Sequence, residues 1–361
     1  MTFPESLADV PTPALVIDLD RLGANVLRMA EIAHRAGVAL RPHWKTSKSL
    51  AVAALQSAAG AVGFTCATAL EAEVLIEAGH DVFWAYPPVG AARIASAVRL
   101  AARGRLTVGV DSVAAAVALA GRAVAEGLTI PVRLDIDSGL GRTGAHPADA
   151  PGELEDIAAL DGLRLEGIFT HEGQLARHGA DREARRAAGI GVGRLLVEVA
   201  EAARARGVAI DVVSVGSTPG ADSAPTVAGI TEMRPGTYVF GDDNQRSTGA
   251  VAAEDCALTV HATVVSTQRG EPAIVDAGLK AMSGDGSARG DGRLGTRVDG
   301  PGVLALAHEE HGFLRGAGAV SLGDRVVLLP NHACGTVNMF STAWVVSRGV
   351  IVDRWPVEAR R

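Results

Sequence analysis

The chain has 361 residues, 48% of them apolar, and a formal charge of −7 that is spread without any block of like charges. That is material for one large domain or two ordinary ones around a substantial core, and it leaves no electrostatic footprint for nucleic acid or an anionic membrane. Cys66, Cys256 and Cys334 are too few and too far apart for a disulfide framework, so reduced thiols are expected. The opening MTFPESLADVPTP has no basic segment leading into an apolar one, and no apolar run reaches ~18 residues; the expectation is a cytoplasmic protein without a membrane span.

In chain order, a strand-like run ALVIDL (14–19) precedes a helix near 21–36. Eight short apolar runs then alternate with Ala-rich amphipathic stretches: VALRPH (38–43), AVGFTC (61–66), DVFWAY (81–86), RLTVGV (105–110), IPVRLDI (130–136), LRLEGIF (163–169), DVVSVG (211–216) and TEMRP (231–235). Helical stretches such as TALEAEVLIEAG and REARRAAGIGVGRLLVEVAEAARARG lie between most of them. Eight βα units predict an α/β fold, a (β/α)8 barrel with its chemistry at the carboxyl ends of the strands. Beyond about residue 245 the pattern becomes β-branched alternation without helices (LTVHATVVST, PAIVDAG, DRVVLLP, TAWVVSRGVIVDRW), which predicts an antiparallel β domain. The expected division is a barrel over 13–245 and a β domain over 246–361, joined by the N-terminal segment 1–20 whose strand is free to pair with it. The Gly-rich 283–302 reads as a loop.

Several residues sit where barrel chemistry is expected. Lys45, in RPHWKTSK, follows the first barrel strand; a partly desolvated lysine there can attack an aldehyde to form a Schiff base, the alternative being an ordinary solvated lysine. VGSTPG (215–220) ends the seventh strand, and its small residues Gly216, Ser217 and Thr218 let backbone N–H groups approach an anion, unless the stretch is only a turn. DSGLGRTG (137–144) contains a formal G-x-G-x-x-G, but Pro147 and Pro151 argue against a helix starting inside it, so it reads as a loop aiming Arg142 into the rim. His171 closes the sixth strand, and Arg234 and Tyr238 follow the eighth; each has a structural reading as well. His332 and Cys334, two apart in LLPNHACGTVN, would leave an extended segment on one face, where imidazole and thiolate suit zinc and leave positions open for substrate, water or a third ligand.

Taken together, PHWKTSK, VGSTPG, EMRPGTYVFGD, VDAGLKAMSGD, EEHG and PNHACGTVN resemble, in order, the motifs of the D-threonine aldolase and D-serine dehydratase family, whose barrel is of the alanine racemase type. The resemblance implies that Lys45 holds pyridoxal 5′-phosphate covalently, that Gly216, Ser217 and Thr218 bind its phosphate, and that Arg142 faces the pyridine nitrogen. It further places His171 beside the cofactor, Tyr238 near its phosphate side, and a divalent metal on His332 and Cys334, with Zn2+ favoured over Mn2+ or Mg2+. A homodimer is also implied. Ser47 stands where the motif usually has histidine, and the histidine that serves the family's aldolases as base matches either Arg177 or His178.

An arginine opposite the pyridine nitrogen disfavours its protonation and weakens the electron sink, and a Lewis acid on the substrate's β-oxygen compensates. The expected activity is a lyase acting on β-hydroxy-D-amino acids, with Lys45 and His171 as catalytic candidates. Retro-aldol cleavage to glycine and an aldehyde is placed ahead of dehydration of D-serine or D-threo-3-hydroxyaspartate to a keto acid and ammonia, although Cys334 resembles the dehydratase branch. An amino-acid racemase would need a second base, commonly a C-terminal tyrosine, and only Tyr86 and Tyr238 exist. A non-catalytic cofactor-binding protein would leave the His332 and Cys334 pair without a purpose.

Overall fold

In the computed structural model, whose described residues are 4–360, the alternating pattern resolves into two sheets. The chain enters through strand β1 (Ala14–Asp18) and helix α1 (Leu19–Ala36). The switch from one to the other is local: the Asp18 carboxylate accepts the Arg21 N–H at 3.0 Å to cap the helix, and Gly37 ends it at φ 69°, a left-handed conformation that costs glycine little.

The barrel follows as β2 (Ala39–Leu40), α2 (Leu50–Ala58), β3 (Phe64–Cys66), α3 (Ala69–Glu77), β4 (Val82–Trp84), α4 (Ala91–Ala101), β5 (Leu106–Val110), α5 (Val113–Ala125), β6 (Ile130–Asp135), α6 (Ala150–Ala158), β7 (Leu163–Phe169), α7 (Arg182–Ala205), β8 (Val212–Val215) and β9 (Glu232–Met233). Its strands run parallel in the order β2-β9-β8-β7-β6-β5-β4-β3. A parallel bridge between His43 and Thr65, with the Thr65 N–H donating to the Pro42 carbonyl at 2.8 Å, joins the ends of the sheet. The eight runs counted in the sequence are thus the eight strands. The first and last are only two residues long, because Pro42 and Pro235 have no N–H to continue a ladder. β3, β4 and β5 are buried at every position, as strands with helices outside and a packed barrel inside must be.

The barrel interior is not purely apolar. Glu232 on β9 accepts from Arg41 Nε at 2.7 Å through Oε2, and from Arg133 Nη1 at 2.7 Å and Ser214 Oγ at 2.8 Å through Oε1. The Arg133 guanidinium lies 4.7 Å above the Phe83 ring, which meets Phe169 edge to face at 4.9 Å. All these side chains are buried, so each charge has an opposite charge, a hydroxyl or an aromatic face against it.

After α8 (Asp243–Ser247) the second sheet begins: β10 (Leu258–Ser266), β11 (Ala273–Val275), α9 (Leu279–Met282), β12 (Gly295–Arg297), β13 (Val303–Ala307), β14 (Gly312–Arg315), β15 (Arg325–Pro330), α10 (Ala333–Met339), β16 (Thr342–Ser347) and β17 (Val350–Pro356). β10 to β15 form a ring in the order β11-β14-β13-β12-β15-β10, closed by the β10–β11 pairing. β1 pairs antiparallel with β10 and parallel with β16, so the first strand belongs to this sheet and α1 leads straight from it to the barrel. Residues 1–3 and 361, assigned above to the β domain, lie outside the described residues.

Two expectations need correction. The stretch 283–302 is not all loop: Gly295 to Arg297 form β12, recruited by pairing with β13 and β15. The C-terminal region is not free of helices either, since α9 and α10 interrupt it, and α10 forms because the buried Asp242 carboxylate accepts the Ala333 N–H at 3.0 Å. Among the described residues no helix is long and apolar enough to cross a membrane.

The ionic interior makes a prediction. Burial would raise the Glu232 pKa, but Arg133 and Arg41 together outweigh it and bring it down to about 2. A carboxylate depressed below its unfolded value of about 4.3 contributes stability above that pH and loses it as the pH falls toward about 2. Glu232→Ala, which leaves Arg41 with Asp81 and Arg133 with Glu166 as their remaining carboxylate partners, is expected to cost about 3 kcal/mol in urea unfolding at neutral pH, the low end for breaking a buried pair. The difference from wild type should shrink as the pH is lowered through that window.

Candidate active site

The rim opens with RPHWKTSK. Beyond Leu40 the chain enters a 3-10 turn, Trp44–Thr46, anchored by Trp44, which is 1% exposed and donates its indole N–H to the Ser49 carbonyl at 3.1 Å. The two lysines meet different fates. Lys48 is buried, with Nζ 2.8 Å from Glu71 Oε1 and 2.8 Å from the Ala359 carbonyl, which makes it structural. Lys45 is half-buried and, among the described residues, has neither an ion-pair nor a hydrogen-bond partner. Ser47 is buried and turns its hydroxyl back toward the Trp44 carbonyl at 3.5 Å, so it presents no group to the rim.

Around Lys45 the structure gathers residues from distant parts of the chain. His171, just past β7, is driven down to a pKa of about 3, first by burial and then by the charges of Lys45, Arg142 and Arg234. Its Nδ1 lies 2.7 Å from the Gly216 carbonyl, which only accepts, so Nδ1 carries the proton and Nε2 is the free lone pair. His43 is also held neutral by burial and by Lys45, and its Nδ1 is buried without a partner. Arg142 is exposed and lines a small cleft with Asp135, Thr170 and His171. No helix starts in the glycine motif before it; instead Asp137 Oδ1 accepts the Gly139 and Gly141 N–H groups at 2.9 and 3.0 Å and ties the loop. Asp135, buried at the end of β6, is raised to about 6 by burial despite the hydrogen bond from Thr143 at 2.8 Å.

The VGSTPG loop differs in detail from the expectation. The Gly216 N–H is not available to an anion, because it donates to Glu172 Oε2 at 2.9 Å. The N–H groups of Ser217 and Thr218 have no partner among the described residues. Gly216 itself is required by packing, since a Cβ there would lie 2.8 Å from the Arg234 Cβ. Arg234 stays inside the barrel, with Nε donating to Ser214 Oγ at 2.8 Å and Nη2 to the Thr170 carbonyl. Tyr238 is one layer behind: its N–H donates to Thr218 Oγ1 at 3.0 Å, and its hydroxyl accepts from Gln56 Nε2 at 2.8 Å.

His332 and Cys334 do not lie in an extended segment. His332 is the N-cap of α10 and Cys334 is in its first turn, so the helix start rather than strand periodicity brings them together. Burial opposes protonation of His332, but hydrogen bonds to Asp285, with Nδ1 to Oδ2 at 3.1 Å, and to Cys334 prevail and raise it to about 11. Burial likewise opposes ionisation of Cys334, and the bond to His332 with the charges of His332 and Lys45 brings the thiol down. Thr46 Oγ1 stands 3.2 Å from Cys334 Sγ, joining the Lys45 turn to α10 directly. Among the described residues no group of three or more His, Cys, Asp or Glu is arranged to hold a metal, so the pair stands as two donors with Asp285 behind the imidazole.

Residues 17–244 match the family model of the alanine racemase N-terminal domain, and residues 257–346 match a serine dehydratase domain. The chain belongs to the alanine racemase N-terminal domain family. A D-threo-3-hydroxyaspartate dehydratase from Delftia sp. (strain HT23) is 42% identical over 97% of this chain and 98% of its own. The solved Delftia enzyme superposes with a TM-score of 0.90 at 40% identity, covering 98% of this chain and 99% of that one, and a cysteine-to-alanine variant of it was solved in a metal-free form. A D-threonine aldolase from Arthrobacter sp is 32% identical over 99% of this chain and 94% of its own. The solved D-threonine aldolase from Filomicrobium marinum has a TM-score of 0.90 at 31% identity, covering 100% and 98%. Matched from end to end by dehydratases and aldolases, this member of the family is an enzyme, and the resemblance drawn from its motifs holds.

Sequence reasoning passed over Glu172, Asp285, Asp135 and His43, although Glu172 directly follows His171 and the others lie inside stretches already singled out (VDAGLKAMSGD, IPVRLDI, RPHWKTSK). The usable signal was an acidic or imidazole side chain beside a candidate residue at a strand end. For His171 the geometry predicts a neutral ring protonated at Nδ1 with no titration between about pH 5 and about pH 8. Nitrogen-detected NMR of the imidazole checks this, and His171→Ala identifies the resonance.

Proposed function

We propose that the chain is a pyridoxal-phosphate-dependent, metal-assisted lyase of β-hydroxy-D-amino acids, and that it breaks the carbon–oxygen bond as a dehydratase. The observation that carries the choice of bond is the 42% identity, over 97% of this chain, to the Delftia dehydratase. The thiol of Cys334 supports the same reading. Retro-aldol cleavage needs a base to take the β-hydroxyl proton. Of the two positions matched to that base, Arg177 is not suited to it, and His178 is exposed in the 3-10 turn Gly173–His178, in a groove with Ser138, Gln174 and Leu195. D-threonine aldolase activity is the second reading, favoured by the end-to-end match to the Arthrobacter and Filomicrobium enzymes.

The residues fit the cofactor. The unpaired amine of Lys45 acts on His171, which bonds the Gly216 carbonyl beside the two unpaired amides of Ser217 and Thr218, and the partnerless His43 Nδ1 lies next to the Lys45 turn. Lys45 would hold the cofactor covalently, the two amides its phosphate and Arg142 its ring nitrogen; when bound, the group supplies the sink for negative charge left at Cα. They also fit a divalent cation: an imidazole whose second nitrogen is fixed by a carboxylate, beside a thiol already biased toward thiolate, suits Zn2+ better than Mn2+ or Mg2+. Held by His332 and Cys334, it would supply a Lewis acid for the departing β-oxygen.

The chain's own groups do the rest. Lys45 Nζ, close enough to both His171 and Cys334 to shift their ionisation, is the base for the Cα proton. His171 is made a weak base by burial and neighbouring cations and is fixed by Gly216, so it borders the reacting centre and competes poorly for that proton. The positive field of Arg142 and Arg234 favours an anionic substrate carboxylate at the rim.

Given D-threo-3-hydroxyaspartate, D-serine and D-threonine, the protein is expected to release ammonia with oxaloacetate, pyruvate and 2-oxobutanoate; glycine with glyoxylate or acetaldehyde would establish the aldolase instead. Borohydride should fix the cofactor at Lys45 and nowhere else, and Lys45→Ala should abolish turnover. Chelation, or Cys334→Ala, should lower kcat by about 100-fold or more, with zinc restoring the chelated wild type and not the variant.

A further inference from the structure

Glu172 is 1% exposed, follows His171 at the end of β7, and has no part in the chemistry described so far. Its Oε2 accepts the Gly216 N–H at 2.9 Å, while His171 Nδ1 donates to the carbonyl of the same residue at 2.7 Å. Two consecutive side chains therefore grip Gly216 at its N–H and its carbonyl, and tie the rim of β7 to that of β8. Glu172 also takes a hydrogen bond from the Ser217 hydroxyl, and that oxygen accepts the Gly220 N–H at 3.1 Å. The loop is packed to the carboxylate: a Cβ on Gly220 would lie 2.8 Å from Glu172 Oε1 and 3.1 Å from Ser217 Oγ.

With the Gly216 amide and the Ser217 hydroxyl turned inward, the loop's unpaired donors are the consecutive N–H groups of Ser217 and Thr218. A buried carboxylate beside an anion site is adverse by Coulomb's law, so its presence calls for a compensating role. We propose that Glu172 is a positioning residue that clamps the 216–220 loop in the shape that aims the Ser217 and Thr218 amides at the cofactor's phosphate. This rests on the functional reading above and adds to it a residue that never touches the phosphate.

The test separates phosphate binding from the rest of the cofactor. Full-length protein stripped of cofactor is titrated, by absorbance, with pyridoxal 5′-phosphate and with pyridoxal, which lacks the phosphate. Glu172→Ala is expected to weaken the phosphorylated ligand by about 10- to 100-fold, the loss that accompanies a charged hydrogen bond removed from a buried amide, and to leave pyridoxal within a few-fold. Glu172→Gln, whose carbonyl still accepts from Gly216, should stay near wild type. If the alanine variant does not fold, Glu172→Asp, one methylene too short to reach, should show the same selective loss. Equal loss for both ligands, or no loss for either, in a folded variant overturns the clamp while the functional reading stands. A wild type that binds neither ligand overturns that reading and the clamp with it.

Discussion

The site depends on one constraint: the backbone between Arg41 and Leu50 is fixed from several directions while the amine in its middle is left alone. Arg41 is bound to Glu232 and to Asp81, the latter at 2.6 Å, and the His43 N–H donates to the Pro235 carbonyl at 3.0 Å. Thr46 contacts Cys334, and Lys48 is held by Glu71 and by the C-terminal Ala359 carbonyl. Glu358 closes the set by accepting the Leu50 N–H at 2.7 Å. In the proposed role of Lys45 as the cofactor's lysine, a backbone fixed so firmly would leave only side-chain freedom to be lost when the amine acts. The same contacts draw together the barrel, α10 and the last residues of the chain, so the β domain is part of the wall of the site.

Much of this architecture was legible in the sequence, for a definite reason. A barrel strand covered on both sides must be apolar at nearly every position, and a helix over it must be apolar along one stripe, so the eight runs and their helices stood out by period alone. That Lys45, His171 and the glycine loop would lie at the carboxyl ends of barrel strands was legible from the strand count. What escaped was everything decided by partners distant in sequence. Arg133 inside VRLDI looks like a misplaced charge until Glu232, a hundred positions away, is known to face it. The short strand at 295–297 exists only because β13 and β15 flank it. His332 and Cys334 were paired for the wrong reason, because spacing of two is satisfied by a strand face and equally by a cap with the first turn of a helix.

The distribution of charge explains how one rim accommodates such different groups. The charges of Lys45, Arg142 and Arg234 all act on His171, and two carboxylates beside them, Asp135 and Glu172, are buried and pushed up in pKa, first by burial. On the β-domain side the order reverses: Asp285 is held low by His332, and the Cys334 thiol is biased toward its anion. A zwitterionic amino acid with an oxygen on Cβ meets positive charge at the barrel and negative donors at α10, an arrangement that orients it before any bond breaks.

That polarity also bears on why the two candidate chemistries lie so close together. Both need the same lysine, the same anion cradle and a cation on the β-oxygen; they part at the fate of one proton. Breaking Cα–Cβ requires a base on the β-hydroxyl, whereas losing the hydroxyl requires a base on Cα and none on the oxygen. At this rim both imidazoles, His43 and His171, are made weak bases by burial and neighbouring cations, with His171 further fixed by its bond to Gly216, which leaves the unpartnered Lys45 amine as the stronger base. If Lys45 serves Cα as proposed, the balance between the reactions rests on whether a further base, such as the exposed His178, is brought to the oxygen side of the cleft.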